Sequence, residues 1–120
     1  MAELKISMSE EMPSNIIIVN IGGIIDASTV PELEKVLTSI IDRESNGVIL
    51  NFSSVDYIST GGWSSLIKSS QEIEEKGSQI VLTNMIPNVS ENYYLLEFDK
   101  IIKSFETVKD ARQALDSVDK

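Results

Sequence analysis

The segment Ser59-Thr60-Gly61-Gly62-Trp63 is where this sequence could do chemistry. Two adjacent hydroxyl side chains precede two glycines at the start of an apolar helical stripe, and the first turn of that helix holds no acid. A helix start of this kind offers unpaired backbone N–H groups and the positive end of the helix dipole to an anion, or to a partner that approaches the backbone closely. Asp26, just before an earlier helix, is either a turn residue bonding its own backbone or a carboxylate beside that start. The segment lacks the lysine and spacing of a phosphate-binding P-loop, and the three-glycine dinucleotide pattern is missing too.

The rest of the composition narrows the chemistry. Histidine and cysteine are both absent, which removes His-based triads, thiolate nucleophiles, disulfides and imidazole or thiolate metal sites. The Glu72-Ile73-Glu74-Glu75 run has the spacing of a solvated helix face and no ligand geometry. No catalytic residue, metal or cofactor is therefore expected. Ten basic against nineteen acidic residues give a formal charge of -9, which repels nucleic acid and anionic membranes. No apolar run approaches the ~20 residues of a membrane span, and no leader pattern opens the chain, so a cytoplasmic location is expected.

The elements that must position this segment can be read from periodicity. At 120 residues, 42% apolar and 24% charged, the chain suits one compact domain over 1–120. Leu4, Ile6 and Met8 alternate with polar residues, Pro13-Ser14-Asn15 makes a turn, and Ile16 to Ile21 forms a second strand. Val30, Leu33, Leu37, Ile40 and Ile41 stripe a first helix that ends near Ser45-Asn46-Gly47. Val48 to Phe52 is a strand, and Trp63, Leu66, Ile67 and Ile73 face a second helix that stops at Gly77. Gln79 to Thr83 is a strand, about Val89 to Phe98 a helix, Ile101 to Phe105 a short strand, and Val108, Ala111, Leu115 and Val118 stripe the last helix. The alternation predicts an α/β fold, a small mixed sheet of about five strands with about four helices. Capping boxes are expected at Thr29 with Glu32, Asn88 with Glu91 and Thr107 with Asp110. Trp63 and Tyr57 are expected in the core, although a Trp63 exposed beside Thr60 would anchor a partner. Tyr93 and Tyr94 cannot both face inward.

The run Asn51-Phe52-Ser53-Ser54-Val55-Asp56-Tyr57-Ile58-Ser59-Thr60-Gly61-Gly62 resembles the signature of STAS domains, found in bacterial anti-sigma factor antagonists and sulfate transporters. That signature reads Asp, apolar, Ser, any, Val, any, aromatic, apolar, Asp, Ser, Ser/Thr, Gly. Gly23-Ile24-Ile25-Asp26 is similar to the family's Gly-Glu-Leu-Asp turn, and Ile86-Pro87-Asn88-Val89 to its Ser-Pro segment. Leu95 to Ile102 falls where members carry a leucine-rich helix end and a short strand. The chain departs from the pattern at Asn51, Ile24, Gly61 and Ser59, the last standing where the family has an acid. The resemblance implies a partner-switching module whose first hydroxyl after the acid slot, here Thr60 with Ser59 as second choice, is phosphorylated by a kinase that is also the anti-sigma factor. The unphosphorylated form binds the kinase and the phosphorylated form releases it. Asp26, Ser59, Thr60, Gly61, Gly62 and Trp63 are the partner-binding set on this reading, and weak homodimerisation is left open. The competing expectations are a constitutive scaffold or transporter-associated subunit, and a small-anion or nucleotide receptor using the same helix start.

Overall fold

A computed structural model describes residues 3–43 and 45–118. Strands β1 (Lys5–Glu11) and β2 (Ile16–Ile25) form an antiparallel pair. Helix α1 (Val30–Ile41), strand β3 (Gly47–Ile58), helix α2 (Thr60–Glu75), strand β4 (Gln79–Thr83) and helix α3 (Pro87–Leu95) follow. A single 3-10 turn over Phe98–Lys100 leads to strand β5 (Lys103–Phe105) and helix α4 (Val108–Val118). The five strands lie in chain order, with β2 to β5 mutually parallel.

Period-two alternation gives the sheet two different faces. Ile17, Val19 and Ile21 of β2, with Val48, Leu50 and Phe52 of β3, join the stripes of α1, α2 and α3 in the main core. Ile16, Ile18, Ile49 and Val81 point the other way and are covered by Ala111 and Leu115 of α4. The strands of the sheet's centre read as continuous apolar runs because both faces are covered there.

β3 is longer than Val48 to Phe52, and the reason lies in its pairing. From Asn51 to Ile58 it takes seven steps while β2 takes five from Asn20 to Ile25, with irregularities between Asn20/Gly22 and Gly23/Ile24. Each extra residue is a bulge that spoils strict alternation. The buried positions consequently fall three apart, at Phe52, Val55 and Ile58, and Tyr57 is left 42% exposed rather than packed in the core. Gly22 and Gly23 belong to β2 rather than to a turn, and Gly23 has φ +113°, a region L side chains rarely adopt.

Two of the three expected capping boxes are replaced by other contacts. Thr29 stands at the N-cap of α1, but its Oγ1 donates to Ile24 O at 2.7 Å and accepts from Asp26 N at 2.9 Å. Glu32 Oε2 accepts from Leu4 N at 3.4 Å instead of closing a box. α3 starts earlier than expected, at Pro87, whose missing N–H and fixed φ suit a first helical position. Asn88 then donates across to Asp56 O at 2.9 Å. At α4, Thr107 Oγ1 accepts from Asp110 N at 3.1 Å, as a cap should.

Candidate functional site

Two parallel strands that end side by side build the site. Ile25 and Ile58 are register partners, so Asp26 and Ser59, the next residue of each chain segment, leave the sheet at the same end. Ser59 N donates to Ile25 O at 2.9 Å, which fastens the start of α2 to the end of β2.

Ser59 is the N-cap of α2. Its backbone is extended, at φ -75° and ψ 167°, and its Oγ accepts from Gly62 N at 3.0 Å. That bond satisfies one of the orphan donors of the helix start. The amides of Thr60 and Gly61 receive no such partner among the described residues. Thr60 occupies the first helical position with its side chain exposed, whereas Ser59 is half-buried and engaged as the cap. The first turn of α2 has no acidic residue.

The two glycines are not equivalent. A Cβ on Gly62 would lie 2.7 Å from Ile25 O and 3.0 Å from Ile25 Cγ2, so the helix meets the strand backbone through bare Cα. A Cβ on Gly61 would reach Ala27 Cβ at an ordinary 3.9 Å. The same contact places the loop after Asp26 against the start of α2.

Asp26 faces its own loop. Its Oδ1 accepts from Ser28 Oγ at 2.7 Å, Ser28 N at 2.9 Å and Thr29 N at 3.1 Å. The Ser28 hydroxyl is the main reason its carboxyl titrates below the ordinary value, against the opposing pull of desolvation. Asp26 therefore lies beside the site, with its carboxylate committed to Ser28 and Thr29.

Trp63 is fully buried, stacked on Phe98 with ring centroids 5.1 Å apart and tilted against Tyr93 at 5.8 Å. It supports the helix start from beneath and leaves the set of residues a partner could touch. Tyr93 is buried as well, donating its hydroxyl to Ile102 O, while Tyr94 is exposed. Glu72, Glu74 and Glu75 lie on the exposed face of α2.

Sequence reading missed three features, two beside the site and one across the sheet. Ile24 and Tyr57, register partners one step before Ile25 and Ile58, are exposed together at 39% and 42%. Ser28 is the hydroxyl that holds Asp26. An amide ladder crosses the sheet: Asn84 Nδ2 donates to Asn51 Oδ1 at 3.1 Å and Asn51 Nδ2 to Asn20 Oδ1 at 2.8 Å. Asn20 Nδ2 continues it to Ser7 Oγ at 3.4 Å. The available signal was the Asn that follows each of three apolar strand runs, at 20, 51 and 84.

Comparison with known proteins places this geometry in a family. The model of the STAS domain matches residues 8–111, and the chain belongs to that family. Among solved structures, an anti-sigma factor antagonist from Mycobacterium paratuberculosis superposes with a TM-score of 0.84 at 18% identity, covering 93% of each chain. The anti-sigma factor antagonist SpoIIAA in its unphosphorylated form gives 0.73 at 17% identity, covering 92% of this chain and 96% of its own. SpoIIAA, the Bacillus cell fate determinant, in its phosphorylated form gives 0.67 at 14% identity over 92% and 99%. BtrV of Bordetella bronchiseptica, provisionally named an anti-sigma factor antagonist, is 24% identical over 76 residues, or 63% of this chain. The matched segment spans 66% of BtrV.

Proposed function

We propose that this chain is a phosphorylation-switched binding module of the anti-sigma factor antagonist type. In its unphosphorylated form it docks a serine/threonine kinase that is also an anti-sigma factor, and phosphate on Thr60 releases that partner. The reading assigns no catalytic step, metal or cofactor to this chain and sets its work in the cytoplasm. Among the described residues no helix is long and apolar enough to cross a membrane.

The observation that carries the proposal is an exposed Thr60 hydroxyl at the first position of a 16-residue helix with no acid in its first turn. A phosphate there adds about -1.5 to -2 charge at a helix end that favours negative charge, so the domain tolerates it. A partner seated over the same amides meets an added charge at a close interface, where a disrupted charged contact costs roughly 2 to 5 kcal/mol. SpoIIAA, with the same fold, has been solved both with and without phosphate.

Ser59 favours a second reading, a constitutive scaffold that docks through the same turn without modification. It fills the acid slot of the signature and spends its hydroxyl on the cap, and the carboxylate of Asp26 is held by Ser28 and Thr29. Co-purification from the native cell with Thr60→Ala and Thr60→Asp separates the two. The switch predicts that Thr60→Ala keeps the kinase and Thr60→Asp loses it by at least about tenfold, with phosphate mapped to Thr60 in the wild type. Equal retention by both variants, or phosphate confined to distant residues, overturns it.

A further inference from the structure

We propose that two copies of this chain associate through the outer edge of β1, forming one continuous ten-stranded sheet. β1 is the long free edge of the sheet: seven residues, regularly paired to β2 throughout, without proline or glycine. The opposite edge, β5, has three. An edge of that length presents a row of backbone donors and acceptors, and proteins ordinarily guard such a row with charge, proline or bulges.

The side chains select a second copy as occupant. Antiparallel pairing about a two-fold axis at Met8 sets Lys5 opposite Glu11, Ile6 opposite Glu10, Ser7 opposite Ser9 and Met8 opposite itself. This register uses all seven residues and keeps the faces that carry α1, α2 and α3 on one side of the joined sheet. The symmetry makes the Lys5 to Glu11 pairing twice, once at each end. Sliding the partner so that Ser7 meets Ser7 sets Glu11 against Glu3, and sliding it so that Ser9 meets Ser9 leaves Lys5 without an acid opposite. Lys5 is exposed and has no ion-pair partner of its own among the described residues. Glu11 holds Arg112 of α4 at 2.5 and 2.9 Å, and a carboxylate can accept further donors. Met8, the register partner of Val19, is 37% exposed on the side of α1, α2 and α3, where its symmetry mate would cover it.

In this dimer β2 and β3 of one copy run opposite to those of the other. The two Thr60 ends therefore point in opposite directions, and neither is covered by the association.

A chain without cysteine makes the register directly testable. Met8→Cys should cross-link to itself under mild oxidation or with a short bismaleimide. Ser7→Cys should cross-link efficiently only when mixed with Ser9→Cys, because directly opposed residues lie nearest. Sedimentation of the unmodified chain should show a reversible monomer–dimer equilibrium. Lys5→Glu, at an exposed position, should weaken it by about tenfold while Lys5→Arg leaves it unchanged. A wild-type chain that stays monomeric at its solubility limit overturns the proposal, as does Ser7→Cys linking to itself as readily as to Ser9→Cys. Partner binding at Thr60 is read separately and is unaffected by either result.

Discussion

Ser59, Thr60 and Asp26 divide three tasks among three polar side chains. Ser59 closes the helix start, Thr60 remains open to solvent, and Asp26 organises the neighbouring loop. The carboxyl of Asp26 titrates below its ordinary value, first through the Ser28 hydroxyl. A group whose folded pKa is depressed stabilises the fold above its unfolded pKa, near 3.9, and loses that contribution as pH falls through the folded value. Asp26→Asn should therefore flatten the acid limb of the stability curve below about pH 4 relative to wild type. Urea titrations at a series of pH values read this directly, and parallel curves for both proteins would refute it. The hydroxyl pair at 59 and 60 was legible in the sequence, and so was the pair of readings for Asp26. The choice between those readings was not, because a carboxylate's partners depend on which loop atoms surround it.

At the scale of elements, the start of α2 depends on how closely a helix can approach a strand. Gly62 packs where a Cβ would strike the carbonyl of Ile25, a backbone atom that β2 holds in place, whereas Gly61 has room. Gly62→Ala should cost about 1 to 3 kcal/mol, the usual range for overpacking. Gly61→Ala should be neutral or gain up to about 1 kcal/mol from helix propensity. Chemical denaturation of the two variants distinguishes them, and equal effects would show that the approach at Gly62 is not limiting. The glycine pair itself was visible as a poor helix opening. Their separate roles required knowing that β2 and β3 end together. The same holds for Tyr57, whose exposure follows from two bulges that no local pattern announces, and for Thr29 and Asn88. Their side chains find long-range or loop partners better placed than the capping acid three residues on.

For the whole molecule, a formal charge of -9 and a helix dipole act on one added phosphate in opposite ways. The general field disfavours more negative charge, and the local one at α2 welcomes it by about 0.3 to 1 kcal/mol. Thr60→Asp should therefore leave the melting temperature within about 4 °C of wild type. Calorimetry beside the co-purification assay makes this check, and a large loss of stability would mean that the variant acts by unfolding the domain. The covered and uncovered parts of the sheet also belong to this scale. α4 hides the apolar half of one face, and the Asn ladder together with Ile24 and Tyr57 occupies the rest.

Composition and periodicity alone determined the element order, the mixed α/β class, the loss of His and Cys chemistry and the acid-free, glycine-bearing helix start at Ser59 to Trp63, since these depend on residue type and local spacing. Tertiary structure decided which hydroxyl stays open, where Asp26 sends its bonds and that Trp63 lies beneath the site. Ser59 and Asp26 close their bonds within three residues, but in loops shaped where β2 and β3 end side by side, and Trp63 is held by Tyr93 and Phe98 from a distant part of the chain.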